Sequence, residues 1–331
     1  MKNDFKDTLL LAFENELIDL PMTGERWGFF NAQCLPANEI FSDQLQCEQG
    51  FRSEYLSLTQ SGFETVPKFE TNIQFDHCIV FSSRVRALNE QNFKRAWDAT
   101  TTGGLVIVAG EKNTGAGSLR KWVSGHYCDV DSFSKYHAIC FWCRKTQETK
   151  LEIPPLGKNT SGLFSADGPD KGSVLLTSFF DKRIKGKIAD FGAGWGYLSE
   201  QLLERSSQVE HIDLYEADWH ALQHARTRLE GVAPEKTGFH WSDIPGDFKK
   251  KPYEWVVMNP PFHHGLFGSR SADPQLGKAF IQTAASSLIQ GGKLLMVANR
   301  NLPYEDTLSK AFRRVTKLAD QEGYKVFEAV R

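Results

Sequence analysis

The sequence predicts an α/β protein made of two tandem, doubly wound domains, each built on a mostly parallel sheet. Three observations predict it. Short apolar runs alternate with helical patterns along both halves of the 331-residue chain, the rhythm of strand–helix–strand units and of parallel sheets. One run, Lys187-Ile-Ala-Asp-Phe-Gly-Ala-Gly-Trp-Gly196, passes into a glycine turn and then a helical pattern at Leu198, Leu202 and Leu203. The halves also repeat each other. Gly103-Gly-Leu-Val-Ile-Val-Ala-Gly110 stands against Gly291-Gly-Lys-Leu-Leu-Met-Val-Ala298, and Phe75-Asp-His-Cys-Ile-Val-Phe-Ser82 against Tyr253-Glu-Trp-Val-Val-Met-Asn-Pro260, as an internal duplication would give.

Taken in order, residues 1–20 mix leucines with Asp4, Asp7, Glu14, Glu16 and Asp19; this is an amphipathic helix and not a signal peptide. Strands are expected at 27–31, 75–82, 105–109 and 136–143, with helices at 89–99 and 115–123. Residues 146–162, rich in Lys, Glu, Thr and Gly around Pro154-Pro155, read as a linker. The domains are then 1–150 and 151–331. The second half offers strands at 187–191, 209–215, 237–242, 254–259 and 292–299, and helices at 195–205, 218–230, 275–289 and 304–313. Two last strands, 314–319 and 324–330, turn at Glu322-Gly323. That makes seven strands closing in an antiparallel hairpin. Ligands of such sheets bind beyond the strands' carboxyl ends, where Asp190, Glu216, Asp243 and Asn259 all fall.

Composition is that of an ordinary soluble protein, 40% hydrophobic and 24% charged,. No apolar run reaches the length of a membrane span, and a cytoplasmic protein is expected. Net charge is −2, so no global basic field advertises nucleic acid. Local clusters at Lys182-Arg183-Lys185-Lys187, Lys249-Lys250-Lys251 and Arg313-Arg314-Lys317 are either solvated faces or phosphate contacts. Cys140 and Cys143 form the one C-x-x-C, without two further ligands at zinc spacing,. The six cysteines therefore read as buried reduced thiols, and no metal is expected.

The glycine loop narrows the cofactor. A dinucleotide fingerprint, G-x-G-x-x-G, would place its last glycine on Tyr197 or Ser199,. Here the pattern is Gly192-Ala193-Gly194-Trp195-Gly196, with Asp190 two residues ahead. It resembles the S-adenosylmethionine loop of class I methyltransferases. The cofactor's charged methionine end suits Asp190, its ribose suits Glu216 and its adenine amine suits Asp243. The plainer readings are a glycine turn of any α/β protein and, for Asp243, a turn cap.

The sharpest motif is Trp255-Val-Val-Met-Asn259-Pro260-Pro261-Phe262: a buried strand, then an amide, two prolines that fix φ and an aromatic ring. An exocyclic amine is a poor nucleophile because its lone pair is delocalised into the base. The Asn259 side-chain oxygen and the Pro260 carbonyl could accept its two hydrogens and hold the nitrogen in line with a methyl donor, with Phe262 stacked on the base. Catalysis is then mostly positioning, and a duplex base would have to be flipped or presented single-stranded.

With these motifs the second half is similar to the bacterial 16S ribosomal RNA guanine-N2 methyltransferases, enzymes with tandem class I methyltransferase (Rossmann-like) domains. The match runs through Gly162-Leu-Phe-Ser165, Asp170-Lys-Gly-Ser173 with Leu175-Leu176, Asp190 to Gly196, Asn259-Pro-Pro-Phe-His263, Val297-Ala-Asn299 and Leu302-Pro-Tyr304. The resemblance implies S-adenosylmethionine bound by Asp190, Gly192, Ala193, Gly194, Gly196, Glu216, Asp243 and Asn259. It implies a guanine amine held by Asn259, Pro260 and Phe262, with His263, Arg270 and Arg300 as further substrate contacts. The partner is ribosomal RNA or the small subunit, and the protein a monomer. The first half has Ser82-Ser-Arg-Val85 where the second has Asn259 to Phe262, and Trp27-Gly-Phe-Phe30 where the second has its loop. It reads as a degenerate, non-catalytic copy. Trp195 and His264 depart from the family pattern. Other amines (adenine N6, a protein glutamine), 23S rRNA and a non-catalytic RNA-binding module remain as alternatives.

Overall fold

The computed structural model describes residues 4–35, 38–41, 44–146, 168–244, 246–261 and 274–331. The chain divides into two compact units, Met1–Gly162 and Leu163–Arg331. Most of the expected linker, 147–162, lies outside the described residues.

The first unit opens with α1 (Phe5–Glu14), started by a capping box in which Asp4 and Asp7 each accept the other's backbone N–H or one nearby,. The helix ends there and not at 20, because Glu16 turns to φ +56. Seven strands follow: β1 (Trp27–Phe30), β2 (Leu45–Glu48), β3 (Glu64–Val66), β4 (His77–Phe81), β5 (Leu105–Glu111), β6 (Asp131–Lys135) and β7 (Ala138–Arg144). Helices α2 (Asn38–Phe41), α3 (Arg52–Gln60), α4 (Arg86–Ala99) and α5 (Ala116–His126) connect them. The sheet order is β3-β2-β1-β4-β5-β7-β6, with β7 antiparallel to both neighbours. Strands β2, β3 and β6 and helix α3 carry little sequence signal. Strand β6 has one apolar residue, Phe133, and β3 is a three-residue edge.

The Cys140/Cys143 pair is settled by strand geometry. Side chains three apart on a strand point to opposite faces. Cys140 lies in the core beneath α1 and Cys143 in the core on the other side. Burial raises the Cys140 thiol far above its ordinary range, a hydrogen bond with Cys128 together with burial does the same for Cys143, and none of the six cysteines is in a disulfide.

The second unit has the same plan. Its strands are β8 (Gly186–Phe191), β9 (Val209–Glu216), β10 (Thr237–Trp241), β11 (Tyr253–Met258), β12 (Leu288–Asn299), β13 (Arg314–Gln321) and β14 (Tyr324–Val330). The order is β10-β9-β8-β11-β12-β14-β13, position for position that of the first sheet. The duplication read from the repeated runs therefore holds for the whole topology. Helices α6 (Lys171–Thr177), α7 (Tyr197–Arg205) and α8 (Trp219–Glu230) lie in one half, and α9 (Pro274–Ser287) and α10 (Glu305–Ala311) in the other. The first three pack on one face with Leu202, Ala225 and Val257; the last two pack on the other with Val256, Met258 and Ile281. Strand β11 is apolar from Trp255 to Met258 because both its faces are covered there,. Helix α9 stops at Ser287, two residues before the expected end, because the chain pairs into β12 from Leu288.

The start of α7 depends on close packing. A Cβ at Gly196 would lie 3.1 Å from Ala225 and 3.2 Å from Leu229, at φ +86. Gly196→Ala therefore combines left-handed strain with crowding, roughly 1–3 kcal/mol. For a unit of this size that lowers the melting midpoint by roughly 2–12 °C, measurable by calorimetry.

Candidate active site

Two loops meet at the carboxyl edge of the second sheet. The first is the glycine turn between β8 and α7. Gly192, Gly194 and Gly196 have φ of +71°, +55° and +86°, the left-handed region where glycine alone is free of strain. The Gly192 and Ala193 N–H groups donate to the Tyr215 carbonyl at 2.9 and 3.1 Å. The Gly194 N–H donates to Glu216 Oε2 at 2.8 Å, and Glu216 Oε1 accepts from the Asp218 N–H at 2.8 Å. Thus Glu216 ties the loop to the end of β9. Burial pushes its carboxyl up to about 7, against the N–H donors that favour the charged form,. A Cβ on Gly194 would meet nothing within 4 Å, so the middle of the turn opens onto free space.

Asp190, expected to meet the cofactor's methionine end, is enclosed by the protein. It is wholly buried. Ser199 in the first turn of α7 donates its hydroxyl to Asp190 Oδ2 at 2.7 Å, while Oδ1 has no partner among the described residues. The carboxyl braces the turn from inside, and burial pushes it up to about 7, opposed by the Ser199 hydrogen bonds. A raised carboxyl binds more protons in the folded state, so its contribution to stability is lost as pH rises from about 4 through 7. Asp190→Asn keeps an acceptor for Ser199 and removes the titration. Its stability relative to wild type should rise between pH 5 and pH 8, by up to a few kcal/mol, as followed by denaturant melts.

The second loop begins at Asn259. Its Nδ2 donates to Asp170 Oδ2 at 2.7 Å and to Ser173 Oγ at 3.0 Å. A carboxylate only accepts, so the amide must turn its nitrogen to Asp170 and its Oδ1 away. Of the prolines that follow, Pro261 reaches the glycine turn: a Cβ at Gly192 would lie 3.7 Å from its Cδ. Strands β8 and β11 are paired Phe191 to Met258, so the turn and the Asn-Pro-Pro segment emerge side by side. Sequence reading singled out Asp170 and Ser173 only as family positions. Their spacing marks a helix cap, but a partner 89 residues away leaves no local trace.

Asp243 lies just past β10, in a turn closed by Asp247, whose Oδ1 accepts from the Asp243 N–H at 2.7 Å and the Ser242 hydroxyl at 3.0 Å. The side chain that closes this turn is that of Asp247. Arg300 follows β12 and donates to Asp320 at 2.6 Å. Phe262, His263 and Arg270 lie outside the described residues. The basic clusters 182–187, 249–251 and 313–314 precede or begin β8, β11 and β13, strands of one direction. They lie at the edge opposite the two loops and do not adjoin them. Among the described residues no group of three or more His, Cys, Asp or Glu is placed to hold a metal, and no helix is long and apolar enough to cross a membrane.

The first unit carries a different set at the matching positions. Just past β1, the Ala32 N–H donates to the Glu48 carbonyl at 3.0 Å as that of Ala193 donates to Tyr215. Gln49 then stands where Glu216 stands. Its Oε1 accepts from the Phe51 N–H at 2.8 Å and its Nε2 donates to the Ala32 carbonyl at 2.6 Å. By strand pairing, Phe29 stands at the place of Asp190, and Phe81, one residue before Ser82, at that of Asn259.

A family model described as methyltransferase small domain matches residues 157–328. The chain belongs to this family. The family is a methyltransferase family, as expected, and the fold is the one expected for it. Among curated relatives, "Ribosomal RNA small subunit methyltransferase C" of Serratia proteamaculans is 33% identical over 68% of this chain and 65% of its own length, just under two thirds. The protein of that name from Erwinia tasmaniensis is 32% identical over 69% of this chain and 68% of its own, and that from Shewanella pealeana 29% over 78% of each. Among solved structures, the T. thermophilus 16S rRNA N2 G1207 methyltransferase, in complex with AdoMet and guanosine, covers 99% of this chain and 91% of its own with a TM-score of 0.79 at 21% identity. That likeness bears on the fold.

Proposed function

We propose that this chain is a cytoplasmic S-adenosylmethionine-dependent enzyme that methylates the exocyclic N2 amine of a guanine in small-subunit ribosomal RNA. The observation that carries the reading is the glycine turn lying against an asparagine whose amide polarity is fixed. The relatives named for small-subunit ribosomal RNA support the substrate.

The residues fit the cofactor. The turn offers open space at Gly194, and Glu216 offers a carboxylate at the end of β9, where ribose hydroxyls sit in such sheets. The enclosed Asp190 serves by holding the turn, and Asp243 lines the adenine side. When bound, S-adenosylmethionine supplies an electrophilic methyl on a sulfonium. The protein's part is to orient the amine. Asn259 Oδ1 accepts one amine hydrogen and the Pro260 carbonyl the other, which keeps the nitrogen lone pair aimed across the gap to the turn. The proton leaves after transfer, so no strong base is needed. Phe262 stacks on the base, and His263, Arg270 and Arg300 contact the RNA.

The first unit is non-catalytic in this reading. Phe29, Gln49 and Phe81 replace Asp190, Glu216 and Asn259, and Gln49 turns an amide donor where the cofactor needs an acceptor. Calorimetry should find one S-adenosylmethionine per chain; two would contradict the assignment. The function itself is tested by transfer of labelled methyl to separated ribosomal subunits. Label in small-subunit RNA is expected, and label in protein, or in large-subunit RNA alone, would oppose it.

A further inference from the structure

We infer that Asp170 is a positioning residue for methyl transfer, setting the polarity of the Asn259 amide so that its carbonyl oxygen faces the target amine. The inference rests on the function proposed above. Asp170 is the N-cap of α6: Oδ1 accepts from the Gly172 N–H at 2.9 Å and Oδ2 from the Ser173 N–H at 3.0 Å. The same Oδ2 accepts from Asn259 Nδ2 at 2.7 Å. Tyr324, at the start of β14, also hydrogen-bonds Asp170, and its ring packs on Gly172, where an added Cβ would lie 2.8 Å from it. A carboxylate held on three sides is thus the fixed point against which Asn259 is oriented.

The two ends of an amide are nearly equal in size, and only their partners decide which way it faces. Turned over, Asn259 would set Oδ1 against the Asp170 carboxylate and present an NH2 to an amine that offers hydrogens. Ser173 cannot make the choice, because a hydroxyl both donates and accepts. Asp170, which only accepts, makes it. Asn259 in turn supplies the acceptor for the reaction, so Asp170 acts on the substrate through another residue.

Asp170→Asn separates this role from the cap. Asn caps helices about as well as Asp, but its amide can accept or donate and no longer forces Asn259. The full-length variant should lose roughly 10- to 100-fold in kcat on small subunits, consistent with misplacement of one positioning group. S-adenosylmethionine affinity, KM for the subunit and the melting midpoint should stay near wild type. Asp170→Ala should lower the midpoint as well, since it removes the cap. A kcat within about twofold of wild type for Asp170→Asn overturns the inference. So does a kcat loss matched by an equal loss of cofactor affinity, which marks a merely structural role. Wild type is assayed alongside: absence of transfer from wild type fails the function and the inference together, whereas equal transfer from both proteins fails the inference alone.

Discussion

Asn259→Ala is expected to lower the rate of methyl transfer by roughly 10²- to 10³-fold, the scale on which loss of one preorganised hydrogen-bonding group acts, while cofactor affinity changes by less than about threefold. The amide lies at the end of β11 with its nitrogen committed to Asp170 and Ser173, so its oxygen is what the variant removes. The hydrogen-bonding partner of the amine is then gone, and the lone pair is no longer held toward the methyl donor. Nothing in the glycine turn depends on the side chain, whose contacts run to α6. Single-turnover rates against calorimetric affinity separate the two effects. Asn259→Asp should fare no better, because a second carboxylate would face Asp170 at the 2.7 Å now bridged by an N–H.

The second large effect is expected of Gly194→Asp, a loss of cofactor affinity of at least about 100-fold with little loss of fold. Asp is among the side chains that tolerate the left-handed region, and Gly194 sits there at φ +55. A Cβ built on it collides with nothing, so the chain keeps its path. The new carboxylate occupies the open space of the turn, beside Glu216, whose Oε2 accepts the Gly194 N–H. Gly196→Ala is the counterpart, with a smaller side chain in a crowded place that acts on stability first. Finding the two reversed would mean that the open side of the turn is not where the cofactor sits.

Much of this fold was legible because buried parallel strands write themselves as apolar runs. Strands β4, β5, β8, β11 and β12 carry that signature, and the repetition of β4 and β5 as β11 and β12 pointed to two copies of one plan. Strands β2, β3 and β6 were illegible for the converse reason: they are short or half exposed, and Leu45-Gln-Cys-Glu48 has no pattern to declare. The candidate site divides in the same way. Gly192, Gly194 and Gly196 announce a turn by composition, and Asn259 by the prolines behind it. The enclosed position of Asp190 was not legible, because an acid at a strand end reads alike whether it faces a ligand or Ser199. The Asp170–Asn259 bond depends on how α6 docks on the sheet, which sequence spacing does not encode. Gln49 could have been found by aligning the two copies through their strand ends, but β2 gave no strand to align.

The most direct test of the account is the identity of the methylated nucleoside. Small subunits or their naked RNA, incubated with the protein and labelled S-adenosylmethionine, are digested to nucleosides and resolved by chromatography and mass spectrometry. The account predicts N2-methylguanosine as the labelled product of the wild-type protein, reduced by two orders of magnitude or more with Asn259→Ala. Label in another nucleoside, or N2-methylguanosine formed at the wild-type rate by the variant, would contradict it.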